Sequence, residues 1–181
     1  YVWEKSGPET LILDGAIESL KLIMAIDPEV GVEFGVRAGN SVTTYSILSD
    51  IVSFTPLVNA MASASAGVTL TDRNYPANGA SITGLFPGGK THQARYNGSA
   101  VFANLVSGFS NSGTTSGSSE AKPFSGSTVI IGTLTSIESE FKFTLSAKDS
   151  ASGTSNFVVE IPEPATVGIL SIGALGLLRR K

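Results

Sequence analysis

The sequence contains no cysteine, one histidine and one tryptophan, and only 15% of its 181 residues are charged. Without cysteine the chain forms no disulfide, and with a single histidine it lacks the nitrogen and sulfur ligands of a zinc site. We therefore expect no metal and no cofactor. Stability has to come from core burial, which a chain of this length supports as one domain with a tail.

Positive charge is also scarce outside the last three residues. Residues 1–161 contain nine Lys and Arg side chains against fourteen carboxylates, a net charge of −5. A nucleic-acid partner would require a basic surface that meets backbone phosphates, so this balance excludes nucleic acid. The same acidity argues against the body lying on an anionic membrane.

Sequence patterns of catalysis are missing as well. The chain has no Gly-x-Ser-x-Gly elbow, no phosphate-binding loop and no dinucleotide fingerprint. His92 is the single candidate base of its type, and we interpret it as a polar loop residue. We interpret the carboxylates of Glu29, Glu33, Glu138 and Glu140 as solvated groups on the outer faces of strands. We therefore predict no catalytic residues and no enzymatic activity.

Two short patterns have a functional interpretation and a plainer one. Asp72-Arg73-Asn74 is the nearest candidate for calcium, but the arginine between the oxygen ligands weakens it, and we favour a turn. Asn97-Gly98-Ser99 matches the N-glycosylation pattern, but Asn-Gly is also an ordinary hairpin turn, which we favour here too.

The pattern of apolar residues predicts an all-β fold. In residues 29–37, Val30, Val32, Phe34 and Val36 alternate with small or charged residues, which gives a strand with one apolar face. Residues 72–89 and 110–119 are predicted as loop-rich segments. Strands separated by turns indicate an antiparallel β-sandwich for residues 1–161. Further strands are predicted over 1–9, 17–26, 41–54, 57–70, 80–85, 93–106, 127–135, 138–147 and 156–161. The Gly7-Pro8 turn is expected to end the first of these strands, and residues 148–155 are predicted as a turn. Residues 57–70 would have small faces, and a helix is the alternative there and over 17–26.

The last twenty residues have a distinct organisation. In the Pro162-Glu163-Pro164 motif each ring fixes φ and disfavours helix at the preceding residue, so residues 161–163 should be extended and reachable by an enzyme. The fourteen uncharged residues 165–178 would form about 21 Å of helix, which is short of the ~30 Å hydrocarbon core. We therefore predict a short hydrophobic helix that anchors transiently; a buried C-terminal helix of the domain is the alternative. Its membrane-segment residues are Ala165, Val167, Ile169, Leu170, Ile172, Leu175, Leu177 and Leu178, followed by the basic stop Arg179, Arg180 and Lys181.

The order Pro-Glu-Pro, short apolar helix and basic end resembles the PEP-CTERM sorting signal of Gram-negative bacteria. The resemblance implies recognition by an exosortase, an integral-membrane cysteine transpeptidase-like enzyme that removes the tail during export. It also implies a secreted protein of the cell surface or extracellular matrix, anchored transiently in the inner membrane. Residues 19–40 and 141–159 are similar to segments of uncharacterised secreted bodies that carry this tail. We further expect an export signal upstream of Tyr1.

For the body, we expect a structural role at the cell surface or in the matrix. Two alternatives stay open: a subunit of a homopolymeric filament, and a binding module for extracellular polysaccharide or another surface protein. A binding module predicts an exposed aromatic row, for which Tyr75, Phe86 and Tyr96 are candidates, with core packing as the alternative. A secreted hydrolase would instead need polar residues that converge in a pocket around His92.

Overall fold

The computed structural model describes residues 2–11, 14–25 and 27–160, with only the backbone described for residues 3–11. These residues form fourteen strands in two antiparallel sheets. Within these ranges no helix has the length and apolar character needed to cross a membrane. The strands are β1 (Val2–Leu11), β2 (Gly15–Ala25), β3 (Glu29–Ala38), β4 (Thr43–Leu48), β5 (Val52–Val58), β6 (Met61–Thr71), β7 (Ala80–Gly84), β8 (Lys90–Tyr96), β9 (Ala100–Ser107), β10 (Phe109–Asn111), β11 (Thr115–Lys122), β12 (Thr128–Val129), β13 (Thr133–Leu145) and β14 (Ser150–Glu160).

Sheet A has the strand order β1-β2-β3-β14-β6-β11, with β12 paired to β6 beyond the end of β11. The last strand of the body is therefore central. Phe157 of β14 lies opposite Val30 of β3 and Ala64 of β6. The alternation of alanine and serine in β6 places Ala62, Ala64 and Ala66 inside, so the predicted strand with small faces is confirmed.

Sheet B has the order β10-β7-β13-β8-β9, and β4 and β5 also pair with β13. The thirteen residues of β13 are enough for two short strands on each side. β4 and β5 lie end to end along one edge of β13, while β7 and β8 lie along the other. β13 is thus the central strand of its sheet, as β14 is of sheet A.

The core consists of apolar side chains from the inner faces of both sheets. The Phe34 ring lies 4.9 Å from that of Phe141 and 5.6 Å from that of Phe143, measured between centroids, and Phe102 stacks on Phe157 at 5.1 Å. Burying each such ring contributes about 1.5–3 kcal/mol. The predicted all-β sandwich is therefore confirmed; the predicted hydrophobic helix lies outside the described residues.

Three local predictions are wrong. Residues 110–119 are not a loop, because β11 forms an eight-residue ladder with β6. Residues 148–155 were predicted as a turn, but β14 already begins at Ser150. Gly7-Pro8 does not end the first strand; it coincides with a register shift between Ser6 and Glu9, beyond which β1 continues to pair with β2.

Candidate functional site

His92 lies in the core between the two sheets, not in a loop as predicted. Its side chain on β8 is fully buried, and Nε2 is 2.8 Å from the Oγ of Ser139 on β13. That Oγ is 2.9 Å from the Oγ of Ser155 on β14, so the chain of hydrogen bonds joins sheet B to sheet A. Burial lowers the pKa of His92 to about 3, which keeps the ring neutral.

This histidine and serine pair is arranged for structure rather than for nucleophilic chemistry. A catalytic pair needs access to substrate and a group that orients the second ring nitrogen. Here the pair is enclosed by the core, and Nδ1 of His92 has no hydrogen-bond partner among the described residues. The network instead supplies partners for the Oγ atoms of Ser139 and Ser155, which would be costly to bury unsatisfied.

Glu138 and Glu140 are buried, which contradicts their interpretation as solvated carboxylates. Their exposures are 4% and 8%, because the long side chain of Arg95 on neighbouring β8 covers them. Arg95 Nε is 3.0 Å from Glu138 Oε1, and Nη2 is 3.0 Å from Glu140 Oε2. The first contact has ion-pair distance without hydrogen-bond alignment, since neither atom has a hydrogen-bond partner. Ser46 Oγ donates to Glu140 at 2.9 Å, so this cluster is held together internally.

Asp72 anchors the loop between β6 and β7. Its carboxylate accepts backbone N–H groups from Asn74 at 2.8 Å, Asn78 at 3.0 Å and Gly79 at 2.7 Å. Donation by Asn74 is the main cause of the lowered pKa of Asp72. Donors therefore occupy the oxygens that a calcium ion would need, which supports the turn interpretation. In the part of the chain that the structure describes, no group of three or more His, Cys, Asp or Glu side chains is placed to hold a metal.

Asn97 has a structural role in the hairpin between β8 and β9. In the three-residue connection between Tyr96 and Ala100, Asn97 adopts a positive φ of 50° and Gly98 one of 78°, a conformation that Asn and Gly adopt most readily. Its side-chain amide donates to the Thr133 carbonyl at 2.8 Å and accepts from the Thr135 N–H at 2.8 Å. These bonds occupy the side-chain amide that glycosylation would modify, so a structural turn explains the Asn97-Gly98-Ser99 pattern.

The three candidate aromatics do not form a row. Tyr75 is fully exposed in the loop of residues 72–79, whereas Tyr96 packs partly against the core. Phe86 pairs with Lys90 at the beginning of β8, while Tyr96 is the last residue of that strand. Sequence reasoning missed Phe124, which is 95% exposed. Its position between Pro123 and Gly126, outside any alternating pattern, was the available signal.

The outer face of sheet A is a shallow depression, the sheet A trough. It arises because the strand register brings small side chains together in the middle of the face. The depression has a volume of about 840 Å³ next to Phe124 and adjoins another of about 470 Å³. Three rows across β2, β3, β14, β6 and β11 form it: Ser19, Gly35, Ser152, Thr69 and Gly117; Lys21, Glu33, Thr154, Gly67 and Ser119; and Ile23, Gly31, Asn156, Ser65 and Ala121.

The chain leaves the body at the end of β14. Glu160 lies opposite Met61, and its Oε2 accepts a hydrogen bond from Ser127 Oγ at 3.0 Å. The Val159 N–H donates to the Pro28 carbonyl at 2.8 Å. The strand is thus tied on both sides up to its last residue. The predicted sorting motif, membrane segment and basic stop lie beyond it, outside the described residues.

An all-β body whose central strand leads directly into Pro-Glu-Pro, an uncharged run and a basic end defines a protein with a C-terminal sorting tail. Residues 160–181 match the family model of the PEP-CTERM protein-sorting motif, so the chain carries a PEP-CTERM sorting signal. The motif implies recognition by exosortase, a membrane enzyme, followed by export to the cell surface or the extracellular space. No curated protein and no solved structure matches the chain. The similarity of residues 19–40 and 141–159 to other secreted bodies stays a prediction.

Proposed function

We propose that this protein is a structural component of the cell surface or extracellular matrix of a Gram-negative bacterium. Its tail holds it transiently at the inner membrane until exosortase removes the apolar run. The observation that carries this proposal is the start of the matched motif at Glu160, the last residue of the central strand. Because the sandwich ends where the motif begins, removal of the tail would leave every described strand intact.

We also propose that the body is not an enzyme. The polar groups with catalytic potential support this proposal, because each of them is enclosed or held by contacts within the fold. His92 is neutral and enclosed, Arg95 is shared by two buried carboxylates, and Asp72 is occupied by backbone donors.

Release from the membrane tests the proposal in the natural host. With Ala at Pro162, Glu163 and Pro164, we expect the protein to stay in the membrane fraction, whereas the natural sequence reaches the surface or the medium. Ala at Pro87, in a body loop, is the matched control and should be released normally. Release of the triple variant at the natural rate would contradict the proposed role of the tail.

A polysaccharide-binding role is the second candidate, and the sheet A trough favours it. Hydroxyl-bearing and small side chains line it together with the carboxylates of Glu29, Glu33 and Glu120, and Phe124 at its margin offers an exposed aromatic ring. Such rings provide apolar contact area for the flat faces of sugars, while hydroxyls exchange hydrogen bonds with them.

Co-sedimentation with insoluble neutral polysaccharide tests this candidate. Phe124→Ala should reduce the bound fraction several-fold. Tyr75→Ala removes an equally exposed aromatic outside the trough and should leave binding unchanged. Equal binding by the two variants, or no binding by the natural sequence, would contradict the candidate.

The outer strands of sheet A do not favour the filament alternative. Strand addition needs a regular free edge, and the outer strands of sheet A are β1 and β11. β1 has a register shift between Ser6 and Glu9, and β11 ends with Glu120, Ala121 and Lys122. Irregular and charged edges oppose pairing with another chain.

A further inference from the structure

Three exposed apolar side chains lie at the end of the sandwich where the chain leaves the body. Val129 of β12 lies opposite Met61, which itself lies opposite Glu160. Ile131 follows two residues later, and Val58 ends the neighbouring β5. Ile131 is 89% exposed, Val58 67% and Val129 48%. We call these three residues the exit patch.

The exit patch is held on a rigid corner. The chain passes from sheet B to sheet A between β5 and β6, and back from sheet A to sheet B between β12 and β13. The two connections bind each other: Asn59 N–H donates to the Gly132 carbonyl at 2.9 Å, and Gly132 N–H donates to Asn59 Oδ1 at 3.0 Å. Ile130 N–H also donates to the Ala60 carbonyl at 2.9 Å. The apolar side chains are therefore presented in a fixed arrangement.

Phe124 is a further exposed apolar residue, on a loop that is tied to the exit point. It is 95% exposed on the loop that joins β11 to β12. Ser127 of the same loop donates to Glu160, so the loop is attached to the exit point itself. Exposed apolar side chains that cluster at one end of a domain are the kind of surface that binds a partner or a membrane.

The length of the connection determines what the exit patch can reach. Five residue steps separate Glu160 from Ala165, the first residue of the uncharged run, which is at most about 17 Å of extended chain. The headgroup region on each side of the hydrocarbon core is roughly 5–8 Å thick. If the run lies in the bilayer, as the proposed function requires, the exit end of the body lies within roughly 10 Å of the lipid headgroups, which is close enough for contact.

We propose that the exit patch docks on the surface of a zwitterionic lipid bilayer while the tail is in place. The contact is apolar: Val58, Val129 and Ile131 enter the interface between headgroups and acyl chains. Asp27, Glu29 and Glu160 place three carboxylates at the same end, so anionic lipid weakens the contact. Docking sets the orientation in which the body meets the membrane enzyme, with the β14 end against the bilayer and the loop of residues 72–79 away from it.

Single labels test the docking cleanly, because the natural chain has no cysteine. The full chain is made by cell-free synthesis with phosphatidylcholine vesicles and carries one environment-sensitive dye. Ile131→Cys reports the exit patch and Leu170→Cys reports the tail. Tyr75→Cys is the control, since it is fully exposed beyond the opposite end of β14, about 34 Å away.

We expect the Ile131 label to shift to the blue and to be quenched by lipids with a shallow nitroxide. The Leu170 label should be quenched by a deep nitroxide, and the Tyr75 label by neither. Adding phosphatidylglycerol, or changing Val58 and Val129 to Ser, should at least halve the quenching at position 131 while position 170 is unaffected.

The failures of docking and of anchoring are distinguishable. A quenched Leu170 label with an Ile131 label as exposed as that at Tyr75 would show insertion without docking. An unquenched Leu170 label would overturn both the anchoring and the docking. Two further results would also overturn the proposal. A blue-shifted Ile131 label without vesicles would show that the tail or a second copy of the chain covers the exit patch. A shift of the Ile131 label that appears only when exosortase is added would show that the exit patch binds the enzyme.

Discussion

At the scale of single residues, buried polar groups hold the two sheets together. His92 is the clearest case: a neutral imidazole whose Nε2 contacts Ser139, which in turn contacts Ser155. Its pKa is lowered from 6.5 to about 3 by burial. Between these values the unfolded chain binds a proton that the folded chain does not, so folding stability is full above pH 6.5 and falls as the pH decreases towards 3.

The pH dependence of unfolding tests this role of His92. From pH 7 to pH 5, protonation of His92 in the unfolded chain should lower the free energy of unfolding by about 2 kcal/mol. His92→Gln should be less stable at pH 7 but should lose about 2 kcal/mol less over the same pH interval. Urea titrations at both pH values measure the difference. Equal losses in the two proteins would show that His92 is not the titrating group.

The sequence could not predict the environment of these residues. Alternation correctly placed Glu138 and Glu140 on the face opposite Phe141. It could not show that Arg95 of β8 covers that face, because the neighbour of a strand depends on sheet order and not on the strand's own sequence. His92 was misplaced for the same reason: its hydrogen-bond partner, Ser139, lies on another strand, and Ser139 in turn contacts Ser155 of the opposite sheet.

At the scale of elements, alternation predicted the strands with apolar faces and missed those without. β3 was predicted because four of its residues are apolar at every second position. β11 was missed because its Ser, Gly and Thr residues contain no such pattern. Its conformation is set by hydrogen bonds to β6, about fifty residues earlier in the chain, and no local signal reports that pairing.

Packing between strands is close at Gly153 of β14. A Cβ there would lie 2.5 Å from Phe34 Cε1 and 3.0 Å from the Gly67 carbonyl oxygen. Gly153→Ala should displace the Phe34 ring from Phe141 and lower the free energy of unfolding by about 1–3 kcal/mol. Gly67→Ala is the control on the adjacent strand, where the nearest atom is 3.6 Å away, and a loss within about 0.5 kcal/mol is expected. Urea unfolding measures both, and equal losses would contradict this account of the contact.

At the scale of the whole molecule, the destination was predictable and the ligand was not. The sorting tail is contiguous in sequence, so the order of its three parts was sufficient to identify it. The sheet A trough combines residues of five strands from Ser19 to Asn156, and only the register brings them together. The same holds for the exit patch, whose members come from β5, β12 and the corner beside them.

The central claim is that the tail from Pro162 onwards is a signal to be removed and not part of the mature fold. Intact mass spectrometry of the protein isolated from the surface or medium of its host tests this directly. We predict a polypeptide that ends near Pro162 and lacks the apolar run of residues 165–178. A mass that extends through Lys181 would contradict the account and would make the tail a permanent part of the protein.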